Sequence, residues 1–229
     1  MTQQRDFSRL EIKFVGDESQ VHVLNRWLAL RNEGLEERFP GRWVNNVYFD
    51  THDYLAFRQN MGGASDRYKV RYRWYEAHEL PAPGALEVKR KRNFFSWKLR
   101  FPADTAPCEK SDYWTDVRRK LLAVLPEQAG HWIESNPQPV ILNRYYRRYL
   151  ATPDNAIRLT LDMQNTVYDQ RYKPYPNITH AGNMRRTVVL EMKFARSERV
   201  RASQLMRGLP LRVSRHSKYV ICLRSVQGF

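Results

Sequence analysis

Apolar and polar residues alternate with a period of two along most of the chain, most regularly across 67–74, which reads Arg-Tyr-Lys-Val-Arg-Tyr-Arg-Trp. A period of two places neighbouring side chains on opposite faces of a strand. Arg67, Lys69, Arg71 and Arg73 therefore share one face, and Tyr68, Val70, Tyr72 and Trp74 share the other. The same pattern predicts strands at 9–15, 43–51, 86–91, 97–101, 140–150, 157–163 and 187–194, with 140–150 and 157–163 joined as a hairpin through Pro153-Asp154-Asn155. Helical spacing predicts a long amphipathic helix over 18–39, broken near Gly34 and stopped by Pro40-Gly41, and a helical turn over 54–60. It also predicts a helix over 111–125 capped by Ser111 or Asp112, a shorter one over 126–134, and a basic helical segment over 197–207. The stretch 164–186 has no period and reads as a long loop, a lid over the structure.

The polar faces of these strands differ from ordinary solvated faces in their charge. They carry Lys13, Lys69, Arg71, Arg73, Lys89, Lys91, Lys98, Arg100, Arg147, Arg158 and Lys193 against only Glu11, Glu87, Asp162 and Glu191. Same-face neighbours about 7 Å apart repel by about 2 kcal/mol at an effective dielectric near 20, so a sheltered row requires negative charge. The apolar faces and the amphipathic helices place the core outside the sheet. About eight antiparallel strands suffice to close a barrel. The expectation is an α+β fold with a closed eight-stranded antiparallel β-barrel, a cationic lumen and helices packed outside, formed as a single domain over 1–229.

Composition narrows the partner class. The net charge of +15 calls for a polyanion, whether nucleic acid, an anionic membrane surface or a phosphate-rich small molecule. The phase of the central strand argues against nucleic acid, since Tyr68, Tyr72 and Trp74 point away from the cations and cannot stack bases in the same groove. Neither Gly-x-x-x-x-Gly-Lys-Ser/Thr nor Gly-x-Gly-x-x-Gly occurs. Cys108 and Cys222 suit a reducing cytoplasm, and no signal peptide or membrane span is expected. The basic run Arg196, Arg199, Arg201, Arg207 and Arg212 reads either as a solvated helix face or as a dock for an acidic partner or membrane.

The ordered segments Glu11-x-Lys13, Val47-Tyr-Phe-Asp-Thr51, Lys69-Val-Arg71-Tyr-Arg73, Leu86-Glu-Val-Lys89, Lys98-x-Arg100, Tyr145-x-Arg147, Arg158-Leu-Thr-Leu-Asp162, Leu190-Glu-Met-Lys193 and Ser217-Lys218-Tyr219 span nearly the whole chain. Together they resemble the VTC domain, the polyphosphate polymerase module of the triphosphate tunnel metalloenzymes. The resemblance implies ATP and inorganic polyphosphate as substrates, Mn²⁺ or Mg²⁺ as cofactor, and transfer of the γ-phosphoryl group to a growing chain. It implies that Arg71, Arg73, Lys89, Lys98, Arg147 and Arg158 bind the reacting phosphates, joined by Lys13 and Lys218. Lys69, Lys91, Arg100 and Lys193 on the same faces, and Arg215 in the tail, extend the expected phosphate-binding set. Glu191 is the expected metal carboxylate, with Glu11, Glu87 and Asp162 as secondary candidates. Related tunnel triphosphatases carry Glu-x-Glu-x-Lys where this chain has Arg9-x-Glu11-x-Lys13, a departure that favours the polymerase branch. A tunnel triphosphatase and a non-catalytic polyphosphate- or nucleic-acid-binding module remain the alternatives. The chain is expected to be a stand-alone bacterial form, with the need for a membrane-protein partner left open.

Overall fold

The computed structural model describes residues 9–31, 34–93 and 95–227, with Arg9 described in its backbone alone. Its strands in chain order are β1 (Arg9–Asp17), β2 (Glu36–Asp50), β3 (Asp66–Trp74), β4 (Gly84–Arg92), β5 (Phe95–Ala103), β6 (Gln138–Ala151), β7 (Ile157–Asp169), β8 (Thr187–Ala195) and β9 (Arg212–Val213). Six α-helices accompany them among the described residues: α1 (Val21–Ala29), α2 (Leu55–Met61), α3 (Trp114–Val124), α4 (Glu127–Ser135), α5 (Arg199–Leu205) and α6 (Lys218–Gln227). The strands form one sheet in the order β5-β4-β3-β2-β6-β7-β8-β1-β9. The fold is thus α+β with a large antiparallel sheet, as the alternation implies.

Closure is the first correction. The sheet begins at β5 and ends at β9, with no hydrogen-bonded pairing between those two among the described residues, so the expected closed eight-stranded barrel is not formed by its ladder. Pro102 lies within β5, where the missing N–H is tolerable because the strand is an edge.

The second correction concerns 18–39. A 3₁₀ turn (Glu18–Gln20), capped by Asp17, leads into α1, and α1 stops at Ala29. Glu36 to Phe39 belong instead to β2, which runs straight through Pro40-Gly41. This half of β2 is exposed, so alternation buries nothing there, and the helical spacing of Val21, Leu24, Leu28 and Leu35 carried the helix reading on to Pro40. Gly41 is needed because a Cβ would collide with the ring of Tyr146. Residues 32–33 of the expected helix lie outside the described residues.

Three smaller expectations also shift. β7 continues to Asp169, so the segment 164–186 is a loop only after that point; Gln164 has φ 54, and this left-handed kink breaks the period. Helix α3 starts at Trp114 with Tyr113 as its cap residue, because the Asp112 carboxylate is taken by the Glu109 N–H and Lys120. The tail after Ser217 forms α6, and its apolar residues Tyr219, Cys222 and Leu223 are buried.

The chain divides into two compact units. Unit one comprises Met1–Arg42, Tyr145–Asn165 and Arg185–His216; unit two comprises Trp43–Arg144, Thr166–Met184 and Ser217–Phe229. In unit one, Leu24, Trp27 and Leu28 of α1 and Ala202 and Leu205 of α5 pack on Phe14, Leu159, Leu161, Leu190 and Met192 from the strands. In unit two, Trp114, Val117 and Leu121 of α3 and Ile133 of α4 cover Val70, Tyr72, Trp74, Leu86 and Val88. Fully burying side chains of this size stabilises by roughly 1.5–3 kcal/mol each.

Unit two also places helices on the opposite face, which corrects the expectation that all helices lie outside. There α2 and α6 pack on Tyr48 through Ala56, Tyr219 and Leu223. Asp50 holds both helices: its carboxylate accepts the Ala56 N–H at 2.9 Å and the Phe57 N–H at 3.0 Å, and it accepts the Tyr219 hydroxyl. Burial and the Asp50 charge push the Tyr219 phenol well above its usual range, so the hydroxyl remains a donor. Tyr219→Phe is expected to cost about 1.5–3 kcal/mol in urea unfolding, the range for a hydrogen bond to a charged acceptor. An unchanged midpoint would show that the ring alone docks α6.

Candidate functional site

In unit two the cationic row of β3 is organised by one carboxylate on the neighbouring strand. Arg71 pairs in register with Glu87 of β4, and Glu87 in turn with Arg100 of β5. Glu87 is 3% exposed and accepts from Arg71 Nε at 3.0 Å and Nη2 at 2.6 Å. Lys98 Nζ approaches it at 3.1 Å and Arg73 Nη1 at 3.8 Å. Burial by itself would raise this carboxyl, but Arg71, Arg73 and Lys98 together pull it well below the usual carboxylate range. Three cations on one anion leave a surplus of positive charge beside β3 and β4. Asn46 accepts from Arg73 Nε at 2.7 Å and donates to Asn143 Oδ1 at 3.1 Å, so an amide pair in the sheet aims the guanidinium. Lys69 meets Ser217 Oγ at 2.7 Å, ahead of Lys218 at the start of α6. Lys89, Lys91 and Arg100 lie on the same strand faces, with Lys89 and Arg100 exposed and Lys91 half-buried.

Unit one repeats the device with different residues. Antiparallel pairing sets Glu11 opposite Lys193 and Lys13 opposite Glu191. Lys13 Nζ lies 3.1 Å from Glu11 and 3.3 Å from Glu191, and Lys193 Nζ lies 3.6 Å and 2.6 Å from the same two carboxylates. Burial favours a neutral Glu191, yet Lys13 and Lys193 outweigh it and bring its carboxyl down to about 2. Burial likewise works against the Lys13 charge, and Glu191 and Glu11 outweigh it to raise its pKa. Arg147 forks onto Asp162 at 2.5 and 2.8 Å, and this pair raises Arg147 well above its ordinary value despite burial.

An open cavity of about 700 Å³ lies in unit one, lined by Arg38, Arg147, Arg158, Thr160, Glu191 and Lys193 among others. Arg158 is half-buried and forms no ion pair or hydrogen bond among the described residues. Thr160 Oγ1 is also buried without a partner there. A sheltered cation and an unused hydroxyl suit an anion with oxygen acceptors. Arg215 is exposed on the segment after β9.

The four expected carboxylates separate by their neighbours. Asp162 is engaged by Arg147, and Glu87 by Arg71 and Lys98. Glu11 and Glu191 share Lys13 and Lys193. Among the described residues no three His, Cys, Asp or Glu side chains converge. That donor set fits a hard cation of the Mg²⁺ type, which takes one or two carboxylates and draws its remaining oxygens from phosphate and water. The side chain of Arg9, the residue that departs from the triphosphatase pattern, lies outside the described residues.

Sequence reasoning missed Arg38, Phe39, Tyr149 and the Asn46–Asn143 pair. Tyr149 shares the face of Arg147 by period two and was legible on that ground. Arg38 and Phe39 were hidden by the helical reading of 18–39.

The sequence matches the VTC domain family over residues 8–227, and the chain belongs to that family. No curated protein matches it. A Vibrio parahaemolyticus protein described as a candidate adenylate cyclase superposes with a TM-score of 0.50 at 10% identity, covering 93% of this chain and 97% of the other. A Hippeastrum protein described as a candidate adenylyl cyclase with a dominant triphosphatase activity superposes with a TM-score of 0.50 at 15% identity, covering 95% of each chain. At these identities the likeness is one of fold.

The Glu87 cluster makes a pH prediction. A folded carboxyl held below its unfolded value of about 4.3 stabilises fully above that value, and the stability is lost as pH falls toward the folded pKa. Glu87→Gln is expected to cost about 3 kcal/mol at pH 7, since it removes the buried carboxylate that three cations share. It should also flatten the loss of urea stability between pH 5 and pH 3. Parallel pH profiles in parent and variant would contradict the assignment.

Proposed function

We propose that this VTC-family chain is a polyphosphate polymerase that moves the γ-phosphoryl group of ATP onto the end of a growing polyphosphate chain. The observation that carries this reading is the excess of cations over carboxylates: three on Glu87 in one unit, and in the other a cavity lined by Arg158, which has no ion pair among the described residues. The family match and the tunnel-fold neighbours support an enzyme acting on phosphates. Tyr72 and Trp74 are fully buried, so these rings of the central strand are closed to stacking with nucleic-acid bases. Among the described residues no helix is long and apolar enough to cross a membrane. The two cysteines are free and buried, which supports a reducing cytoplasm as the site of action.

In the proposed reaction a terminal polyphosphate oxygen attacks the γ-phosphorus, the bond from that phosphorus to the β–γ bridging oxygen breaks, and ADP leaves with the electron pair. The chain needs no nucleophile of its own for this. Its task is alignment and neutralisation of charge on the equatorial oxygens. In unit two Arg71 and Arg73 offer planar forks that fix phosphates and Lys98 is a mobile point charge; in unit one Arg147 offers the fork, and Lys13 and Lys193 are the mobile charges. Glu191 with Glu11 would hold a divalent cation, which supplies further positive charge at the phosphate oxygens. Lys193, more exposed than Lys13, is the bridging lysine that would turn to phosphate if Glu191 and Glu11 held the cation.

Incubation of purified protein with ATP and Mn²⁺ tests the reading when ADP, free phosphate and polymer are assayed together. Metal-dependent ADP release with long polymer is expected. ADP with equimolar phosphate and no polymer would make the protein a triphosphatase, and binding of polyphosphate without turnover would make it a binding module. For the metal carboxylate, Glu191→Gln should lower the rate at least tenfold and raise the Mn²⁺ concentration for half-maximal rate. Parent-like metal dependence would remove Glu191 from that role.

A further inference from the structure

The cationic cavity of unit one has an aromatic wall that phosphate binding does not use. Phe39 of β2 and Tyr149 of β6 both line it. Their rings meet edge to face with centroids 6.1 Å apart. Tyr149 is held from another side by Arg42, whose Nε donates to its hydroxyl at 3.2 Å and whose guanidinium lies 5.1 Å from the ring centre. Phe39 is 63% exposed, so most of its ring has no covering among the described residues. A large exposed aromatic on a strand whose neighbours are Arg38 and Pro40 contributes little to the core. It does line a cavity that is also lined by Arg158, Arg147 and Lys193.

We infer that Phe39 and Tyr149 form the platform for the nucleobase of a nucleoside triphosphate whose phosphates engage Arg158, Arg147 and Lys193. This rests on the nucleotide-dependent reading above and adds where the base sits and how it is read. A flat aromatic and a polyanion are the two halves of a nucleotide, and the cavity offers one surface for each. Its volume of about 700 Å³ lies within the range of small-ligand sites. Rings of this kind would take a base by its face, so binding through them depends on having a base more than on which base. Stacking tolerates every base, because each has a π-face.

Calorimetric titration with ATP, GTP and tripolyphosphate separates the possibilities. For the parent, ATP and GTP should bind with affinities within a few fold of each other. Phe39→Ala should weaken ATP binding roughly tenfold or more while changing tripolyphosphate binding less than twofold, and Phe39→Trp should restore ATP. Arg158→Ala should weaken all three ligands alike. The exposed position of Phe39 makes these variants safe for folding, which circular dichroism verifies. Equal ATP affinity in parent and Phe39→Ala would overturn the platform while leaving the phosphate reading intact, and so would equal weakening of ATP and tripolyphosphate. Failure of the parent to bind any of the three ligands would overturn both.

Discussion

Repulsion among like charges on one sheet face is the constraint on which the rest of this structure depends. A row such as Lys69, Arg71 and Arg73 on one strand would be unstable if sheltered, at about 2 kcal/mol for each adjacent pair. The fold answers with few carboxylates placed by strand register. Glu87 faces Arg71 across β3 and β4, Glu11 and Glu191 alternate with Lys193 and Lys13 across β1 and β8, and Asp162 forks with Arg147. Each carboxylate is outnumbered or matched by its cations. The fold is therefore held at a charge balance that a further anion improves. That is the physical link from the alternating sequence to phosphate chemistry.

The same alternation explains what could be read without coordinates. β3, β4, β5 and β8 were legible because their apolar residues alternate with charged ones, buried or half-buried on one face, and the pattern Leu86-Glu87-Val88-Lys89 has only one sensible phase. Where burial stops, so does the signal. The outer half of β2 from Glu36 to Pro40 is exposed throughout, so nothing there interrupted the helical spacing that runs up to Leu35. Gln164 inserts a left-handed residue that shifts the phase of β7, and the remainder of that strand looked like a loop. Closure of the sheet is a long-range property of the ladder, and no local pattern encodes it.

The candidate site follows the same division. The cations and carboxylates announced themselves by phase and by resemblance, and the structure gathers Arg71, Arg73 and Lys98 on Glu87 and sets Lys13 and Lys193 on Glu11 and Glu191. Their partners within each unit were not announced. The Asn46–Asn143 pair that aims Arg73 is an interstrand contact between residues almost a hundred positions apart. Helix α6 presents as a polar tail until Tyr219 is seen donating to buried Asp50. Polar orienting groups leave no periodic trace, because their role is set by a single neighbour.

The central claim is that internal carboxylates stand where phosphate charge would otherwise act, so that both compensate the same cations. The shift in melting temperature on adding tripolyphosphate, compared between parent and Glu87→Gln at constant ionic strength, tests this most directly. The account predicts a larger rise for the variant, because its Arg71, Arg73 and Lys98 have lost their carboxylate and gain more from a bound polyanion. An equal or smaller rise in Glu87→Gln would contradict it, since the cations would then be holding Glu87 for structure alone.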